Sequence, residues 1–231
     1  MKNSKGGIYK RFIKRPMDFI LSLIAIIVLS PVFLVVAILV RVKLGSPVLF
    51  KQKRPGLNGK IFMMFKFRTM TDERDKNGKL LQDSVRLTKF GRFLRSTSLD
   101  ELPELFNILR GDMSIVGPRP QLVRDMVFMT SKQRERHSVL PGLTGWAQVN
   151  GRNGVTWEKK LALDLEYVNS ITFFSDCQII FITIDKVFKR DGISSEGMDT
   201  AEDFGDYLLN CGKMSKDEYD RIQMEAKRLV N

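Results

Sequence analysis

An uninterrupted apolar stretch near the amino end is the strongest feature of the hydrophobic pattern. From Phe19 to Val40 the chain carries no charge, and only two serines and one proline lie among the apolar residues. As a helix this stretch is about 33 Å long, which is enough to cross the hydrocarbon core of a bilayer. Because Arg41 and Lys43 follow it in place of a small-residue cleavage site, we expect a retained membrane helix.

Basic residues flank this stretch on both sides: Lys10, Arg11, Lys14 and Arg15 before it, and Arg41, Lys43, Lys51, Lys53 and Arg54 after it. Positive charge prefers the cytoplasmic side of a membrane, and here both ends carry it. Ser30 and Pro31 lie near the middle, where proline bends a helix and the serine hydroxyl can bond a freed carbonyl. The pattern predicts a re-entrant hairpin bent at Ser30 and Pro31, anchored by a pair between Asp18 and Arg15. A single kinked spanning helix is the alternative.

The remainder of the pattern indicates a helix-rich α/β domain with a small β-hairpin. Two apolar runs, 47–53 and 60–67, are separated by the turn sequence RPGLNG, and 71–85 reads as an exposed loop. Thr88 is placed to cap a first helix, and periodicity predicts further helices at 121–136, 157–169, 175–190 and from Ser215. The 175–190 helix, apolar and basic, is typical either of a membrane interface or of a core.

Three regions follow from this organisation. A basic amino-terminal part with the membrane helix covers 1–45, the main domain covers 46–197, and an appended helix without an assigned role covers 198–231. The formal charge of +12 favours anionic partners: nucleic acid, acidic phospholipid or phosphate-bearing substrates. Cys177 and Cys211 read as reduced thiols, and His137, the one histidine, as a solvated residue that supports neither a histidine metal site nor a Ser-His-Asp triad.

The segment 96–110, STSLDELPELFNILR, holds the candidate chemistry. Ser98 and Glu101 have capping-box spacing, which places Asp100 in the first turn of a helix. Acidic residues are ordinary there because they complement the helix dipole. Pro103, however, should leave that turn irregular, with free amide donors that suit a phosphate. A carboxylate at such a place can attack phosphorus.

Attack by a carboxylate on a phosphate requires cations that offset the repulsion between anions. The candidates are Lys66, Arg68, Arg95 and Arg119, each of which taken singly is more typical of a solvated surface. The glycine-rich loop 141–153 adds groups able to bond a sugar, base or phosphate: Gln148, Asn150, Arg152 and Asn153. A purely structural loop around a buried Trp146 is the alternative.

These residues together resemble the monotopic phosphoglycosyl transferases, the bacterial sugar transferases related to undecaprenyl-phosphate galactose phosphotransferase. The resemblance runs from about Lys14 to Gly197. Its motifs are KRPMD at 14–18, the Ser30-Pro31 bend, RPG at 54–56, FKFRTM at 65–70, TKFGRFLRSTSLDELPELFNILRGDMSIVGPRP at 88–120 and PGLTGWAQVNGRN at 141–153. Leu140 departs from the pattern, since many relatives have arginine before the last motif.

The resemblance implies a compact fold with a re-entrant membrane helix and interfacial amphipathic helices, held at the cytoplasmic face of the bacterial inner membrane among anionic phospholipids. It implies a Mg²⁺-dependent transfer from a UDP-sugar, expected to be N-acetylated, to polyprenyl (undecaprenyl) phosphate. This reaction would be the first membrane step of glycan assembly, and nucleic acid is not expected as a partner. Asp100 would attack the β-phosphate, release UMP and carry the phosphosugar. Asp100 and Glu101 would bind the metal, with proton transfer as the alternative role of Glu101. Lys66, Arg95 and Arg119 would bind phosphate groups, and the substrate would also be contacted by Arg152, Gln148 and Asn150.

Two alternatives stay open. A direct-transfer glycosyltransferase would move the sugar without a covalent enzyme intermediate. A non-enzymatic basic membrane adaptor would bind acidic lipid or nucleic acid through its charge, with steep salt dependence and indifference to Asp100.

Overall fold

The computed structural model describes residues 7–151, 155–189 and 202–230, in which helices predominate over two small two-stranded sheets. The helices are α1 (Lys14–Leu44), α2 (Asp83–Arg86), α3 (Lys89–Ser96), α4 (Glu104–Arg110), α5 (Val123–Val127), α6 (Ser131–Arg134), α7 (Trp146–Val149), α8 (Trp157–Asn169), α9 (Phe173–Lys189), α10 (Phe204–Asn210) and α11 (Lys216–Val230). The strands are β1 (Leu49–Pro55), β2 (Ile61–Phe67), β3 (Ser114–Val116) and β4 (Gly142–Thr144). The expected helix-rich fold with a small hairpin is confirmed.

A π-helical turn, Tyr9–Ile13, continues into α1, and together they form a 36-residue apolar helix long enough to cross a membrane by length and composition. The helix runs through Ser30 and Pro31 as one element. Ser30 Oγ donates a hydrogen bond to Ile27 O at 2.8 Å, as expected for the carbonyl that proline leaves without its amide partner. The re-entrant course of this helix stays a prediction.

The amino-terminal end of α1 is fastened to the main domain by polar contacts. Arg15 donates to the carbonyls of Ile108 and Leu109 at the carboxyl end of α4, at 2.6 and 3.1 Å. Asp18 accepts from Ser114 Oγ at 2.7 Å and from Ile115 N at 3.2 Å. The predicted pair between Asp18 and Arg15 is therefore wrong. Each side chain instead satisfies buried backbone or hydroxyl groups of the main domain.

The carboxy-terminal half of α1 packs against the same domain through apolar contacts. Its buried residues Val36, Val40 and Leu44 share one core cluster with Phe67 of β2 and Leu94 of α3. The opposite face of this helix is exposed and apolar along its length: Phe19, Ile20, Leu23, Ile24, Ile27, Val28, Leu34, Val35, Ile38 and Val42. The helix α1 is therefore held to the domain by polar contacts at its amino-terminal end and by apolar contacts at its carboxy-terminal end. The hydrophobic face between them is exposed.

The hairpin β1–β2 positions one of the candidate cations. Its strands pair antiparallel from Leu49 opposite Phe67 to Pro55 opposite Ile61. Asn107 of α4, fully buried, accepts from Phe65 N at 3.1 Å and donates to Met63 O at 2.7 Å. This side chain ties β2 to α4, so the strand holds Lys66 beside the start of that helix.

A parallel pair, β3 with β4, joins the Pro118–Pro120 loop and the glycine-rich loop, and this pair was not predicted. Ser114 pairs with Gly142 and Val116 with Thr144, and strands of three residues are too short to show alternation. The backbones lie very close, since a Cβ on Gly142 would be 2.1 Å from Gly117 N. Glycine at Gly142 therefore allows the glycine-rich loop to approach the Pro118–Pro120 loop.

The helix predictions differ in accuracy. The predicted 157–169 helix is confirmed as α8, the cap at Thr88 is confirmed by a 3.0 Å bond from Gly91 N, and Ser215 caps α11. The 121–136 helix is wrong as a single element, because it divides into α5, α6 and a 3-10 turn where Thr130 starts a new capping box. The predicted loop 71–85 includes the start of α2, and α10 was not anticipated.

Candidate active site

The turn that carries the carboxylate pair is irregular. Ser98 is left-handed, with φ 54° and ψ 16°, whereas an N-cap residue is normally extended. The predicted capping box from Ser98 is therefore wrong. Leu99–Glu101 form a 3-10 turn, and the α-helix begins only after Pro103, at Glu104. The irregular first turn predicted from the proline is confirmed.

Glu101 is held by two cations. Lys66 Nζ lies 2.7 Å and Arg119 Nη2 lies 2.6 Å from Glu101 Oε1. Burial opposes the charge of Glu101, but Arg119 and Lys66 outweigh it and hold the pKa of this carboxyl well below its usual range. Glu101 is therefore ionised, and one of its two oxygens is occupied before any substrate binds.

Asp100 has the opposite environment, although it is the adjacent residue. Its side chain is buried, and the described residues provide it with nearby charges but with no hydrogen-bond donor. Burial and the charge of Glu101 raise the pKa of Asp100 to about 6, against the opposing effect of Lys66, Arg95 and Arg119.

Glu104 is a third acid in the site, which sequence reasoning missed. Its side chain is 2% exposed, and its Oε1 lies 3.0 Å from Lys66 Nζ. Burial raises the pKa of Glu104 to about 7, while Lys66 opposes this shift. The sequence signal that could have indicated Glu104 was its place directly after Pro103, one helical turn beyond Asp100. Its partner Lys66 belongs to a strand distant in sequence, so the pairing itself could not be read from local spacing.

A cavity of about 560 Å³ opens beside the carboxylate pair. Its polar lining comprises Arg95, Ser98, Glu101, Arg119, Gln121, Thr144, Gln148, Lys160, Asp164, Thr183 and Lys186. Its apolar lining includes Ala25 and Leu29 of α1 and Ile180, Ile184 and Val187 of α9. Ser98 and Glu101, on either side of Asp100 in the sequence, line the cavity, whereas Asp100 itself is not among its lining residues. The space therefore has a charged side at the carboxylates and a hydrophobic side between the two apolar helices.

The predicted site residues are brought together only in part. Gln148 lines the cavity, and its buried Oε1 has no hydrogen-bond partner within the described part of the chain. Arg95 also lines the cavity, where its Nε donates to Thr69 Oγ1 at 3.2 Å. Asn150 does not reach the cavity: it is exposed and donates to Trp146 O at 2.9 Å. Arg152 and Asn153 lie outside the described residues.

Arg68, considered with the candidate cations, has a structural role instead. Its guanidinium donates to Ser46 O and Met70 O, both at 2.7 Å, and pairs with Asp72 at 2.8 Å. These contacts join the end of β2 to the loops on either side. Because side chains alternate along a strand, residues two apart such as Lys66 and Arg68 cannot be distinguished by spacing. Only their contacts show that the two cations have different roles.

A buried ion pair supports the loop that carries Arg119. Arg136, 1% exposed, donates to Asp164 Oδ2 from Nε at 2.9 Å and from Nη2 at 2.7 Å. The same Nη2 donates to Arg119 O at 2.6 Å. His137, expected to be solvated, is also buried, and that burial lowers its pKa to about 4. The polar run around these two residues therefore folds inward because Asp164 compensates the buried charge.

A carboxylate pair among fixed cations, beside an apolar helix, suits a transferase for phosphate-bearing substrates. Sequence comparison agrees with this class. The profile of the bacterial sugar transferase family matches residues 9–190, so the chain belongs to that family and is a sugar transferase. The resemblance to the phosphoglycosyl transferases is thereby confirmed.

Three relatives illustrate the range of the family. The chain is 52% identical over 192 residues to the uncharacterized sugar transferase EpsL of Bacillus subtilis (strain 168), covering 83% of this chain and 95% of the relative. It is 42% identical over 188 residues to the UDP-glucose:undecaprenyl-phosphate glucose-1-phosphate transferase of Escherichia coli (strain K12), covering 77% of this chain but 40% of the relative. It is 38% identical over 199 residues to the exopolysaccharide production protein ExoY of Sinorhizobium fredii (strain NBRC 101917 / NGR234), covering 79% and 86%.

Proposed function

We propose that this enzyme transfers a phosphosugar from a UDP-sugar to a polyprenyl phosphate, such as undecaprenyl phosphate, through a covalent intermediate on Asp100. The observation that carries the proposal is the contrast within the carboxylate pair. Glu101 is bound by Lys66 and Arg119, whereas burial and the charge of Glu101 raise the pKa of Asp100 to about 6. Relatives named for transfer of glucose 1-phosphate from UDP-glucose to undecaprenyl phosphate support the substrate classes.

In the first half-reaction an oxygen of Asp100 attacks the β-phosphorus of the UDP-sugar. The bond from that phosphorus to the bridging oxygen breaks, and UMP leaves with the electron pair. The phosphosugar is then joined to Asp100 as an acyl phosphate. Lys66, Arg95 and Arg119 surround this place with positive charge, which reduces the repulsion between carboxylate and pyrophosphate.

In the second half-reaction a phosphate oxygen of the polyprenyl phosphate attacks the same phosphorus. The acyl-phosphate bond breaks, Asp100 is restored as a carboxylate, and the lipid carries a diphosphate-linked sugar. The apolar side of the cavity, between α1 and α9, suits the first isoprene units of the acceptor. One site therefore offers a charged wall for the donor and a hydrophobic wall for the lipid.

Magnesium fits this donor set as a cofactor that binds with the substrate. Mg²⁺ commonly uses one or two carboxylates together with substrate phosphates, and Asp100 with the second oxygen of Glu101 would supply that part. Among residues 7–151, 155–189 and 202–230 no group of three or more His, Cys, Asp or Glu side chains forms a metal site by itself. When bound, the ion would neutralise charge on the pyrophosphate.

We further propose that α1 is re-entrant and that the enzyme lies at the cytoplasmic face of the membrane. At one end, Lys14 pairs with Asp176 of α9 at 2.6 Å; at the other, Leu44 packs with Phe67. A spanning helix would place its two ends on opposite sides of the hydrocarbon core, whereas both ends here contact one domain. The exposed Phe174 and Phe181 of α9 extend the apolar surface in the manner of an interfacial helix.

The function is tested by supplying purified enzyme with magnesium, polyprenyl phosphate and each of a panel of UDP-sugars, including glucose, galactose and N-acetylated sugars. We expect UMP release and a lipid-linked phosphosugar with at least one donor. Asp100→Asn should abolish both products, whereas Asp217→Asn, an equivalent change on the exposed face of α11, should not. Normal turnover by Asp100→Asn, checked for deamidation, would contradict the proposal, because neither the nucleophilic oxygen nor the negative charge of Asp100 would then be needed.

A further inference from the structure

The two carboxy-terminal helices lie beyond the segment that matches the family, which ends at residue 190. They are nevertheless firmly packed. Phe204 at the start of α10 is 2% exposed and Ala226 of α11 is 3% exposed. Gly205 lies so close to Phe128 that a Cβ there would be 2.5 Å from the ring. This pair of helices is thus a built part of the domain.

They pack mainly against α5, and a smaller set of side-chain contacts reaches the first turn of α8. The Phe204 ring lies 5.1 Å from that of Trp157, and Trp157 Nε1 donates to Glu202 O at 3.1 Å. The next residue, Glu158, accepts from Tyr207 OH at 2.7 Å and also pairs with Lys213. Two consecutive residues of α8 are therefore held by α10 and by the segments directly before and after it.

A second set of contacts reaches α5. Asp125 accepts from Phe204 N at 2.9 Å and from Leu122 N at 3.0 Å, and Arg124 pairs with Asp203. This short helix follows the loop that carries Arg119, and Gln121 in the connection lines the cavity. The carboxy-terminal helices consequently join two elements that border the cavity.

The same helix α8 also borders the cavity. Trp157, Lys160 and Asp164 all line it, together with Glu101 and Arg119. Lys160 Nζ lies 5.4 Å from the centre of the Trp157 ring, where the aromatic face attracts the cation. Trp157 thus lines the cavity, and its ring also packs against Phe204.

We propose that α10 and α11 form a brace that positions Trp157 and Lys160 as a binding wall for the sugar nucleotide. The inference rests on the proposed function. The indole offers an apolar surface for a base or sugar ring, and Lys160 offers a cation for the donor pyrophosphate. Phe204 and Tyr207 do not line the cavity and act only as positioning residues. The acceptor lipid, on the α1 and α9 side, should not depend on them.

Matched hydroxyl deletions in the full-length enzyme test the brace. Tyr207→Phe removes a bond to α8, whereas Tyr219→Phe removes a bond to Asp206 that stays within the carboxy-terminal helices. Phe204→Ala removes the ring behind Trp157, and Phe204→Leu should restore part of the support. We expect kcat/KM for the UDP-sugar to fall about tenfold in Phe204→Ala and less in Phe204→Leu and Tyr207→Phe, because a displaced contact weakens donor positioning.

The corresponding kcat/KM for polyprenyl phosphate should stay unchanged in all four variants, and Tyr219→Phe should match the unaltered enzyme in both parameters. Equal losses for donor and acceptor, or no donor effect in Phe204→Ala, would overturn the brace while leaving the proposed function intact. Absence of UMP release by the unaltered enzyme with every donor would refute the proposed function, and the inference with it.

A binding measurement gives an independent readout. The chain has two tryptophans, so Trp146→Phe leaves Trp157 as the single emitting indole. Titration with UMP and with the active UDP-sugar should change its fluorescence, and Phe204→Leu should weaken the apparent affinity. If Trp157 emission did not respond in an enzyme that turns over, the indole would not border the donor and the inference would be wrong.

Discussion

Glu101 and Arg119 are joined by a 2.6 Å ion pair in the wall of the cavity, before any substrate is present. The backbone of Arg119 is itself held, since its carbonyl accepts from Arg136, whose guanidinium is bound by buried Asp164. A cation fixed in this way needs little reorganisation when negative charge develops on a transferred phosphoryl group. The buried pair of Arg136 and Asp164 therefore supports the catalytic arrangement by holding the backbone of Arg119, although it has no direct part in the chemistry.

Arg136 gives the first prediction, which separates stability from positioning. Arg136→Met leaves Asp164 buried without its partner, and loss of one member of such a pair costs about 3–5 kcal/mol. The double variant Arg136→Met with Asp164→Leu should recover much of that stability in chemical denaturation. It should not recover UMP release, because the Arg119 loop still lacks its anchor. Full activity in the double variant would show that Arg136 serves stability alone.

The second prediction concerns the pH dependence of the first half-reaction. Asp100 must be ionised to attack, and its pKa is raised to about 6, so the single-turnover rate should fall as pH decreases through about 6. Below that value the rate should decrease about tenfold per pH unit. Glu104, whose pKa is raised to about 7, also titrates nearby. The acid limb should persist in Glu104→Gln, and its disappearance there would assign it to Glu104 instead.

The third prediction concerns the pH dependence of stability, which follows from the same raised pKa of Asp100. Because the folded-state pKa of Asp100 lies above its ordinary value of 3.8, the folded protein binds more protons than the unfolded chain between about pH 4 and 6. The ionised side chain therefore opposes folding at higher pH, by at most roughly 3 kcal/mol. Asp100→Asn should raise the melting temperature at pH 8 and should lose this advantage near pH 4. Lower stability of the variant at pH 8 would contradict the raised pKa.

The course of α1 gives the fourth prediction. Lys10 and Lys51 are exposed and flank the membrane helix, so cysteines introduced there report the two ends separately. In a background with Cys177 and Cys211 replaced by serine, both positions should resist a membrane-impermeant thiol reagent in intact cells. Both should react after permeabilisation, as expected for two cytoplasmic ends. Labelling of one end alone in intact cells would establish a spanning helix.

The sequence pattern was sufficient to predict elements that are stabilised by contacts between residues close together in the chain. The period of α8 and the cap at Thr88 could be predicted because their partners lie within a few residues. Ser98 shows the limit, since the spacing of a capping box carries no information on whether its first residue is left-handed. Arg136 shows the same for the site: its partner Asp164 is 28 residues away, and a polar run read alone indicates solvent.

The carboxylate pair could be singled out from sequence, but the difference between its members could not. Glu101 is distinguished by Lys66 and Arg119, which come from β2 and from the loop after β3. Only the pairing of those elements shows which acid is bound and which is available. Glu104 was missed for the same reason, since its partner is also Lys66.

The last prediction concerns the order of events, because a nucleophilic Asp100 allows the first half-reaction to proceed without the lipid acceptor. With magnesium and the UDP-sugar alone, the enzyme should release up to one equivalent of UMP and retain the phosphosugar. Intact-protein mass spectrometry should detect the adduct, and peptide mapping should place it on Asp100.

Labelled UMP should also exchange into the UDP-sugar, since the first half-reaction is reversible on the enzyme. Asp100→Asn should show neither adduct nor exchange, while Arg136→Lys should show both at a reduced rate, because it weakens positioning and leaves the nucleophile. In direct transfer the donor bond breaks only when the acceptor phosphate attacks, so that mechanism gives no exchange without lipid. Absence of both adduct and exchange, in enzyme that turns over normally with polyprenyl phosphate, would favour direct transfer over the covalent route.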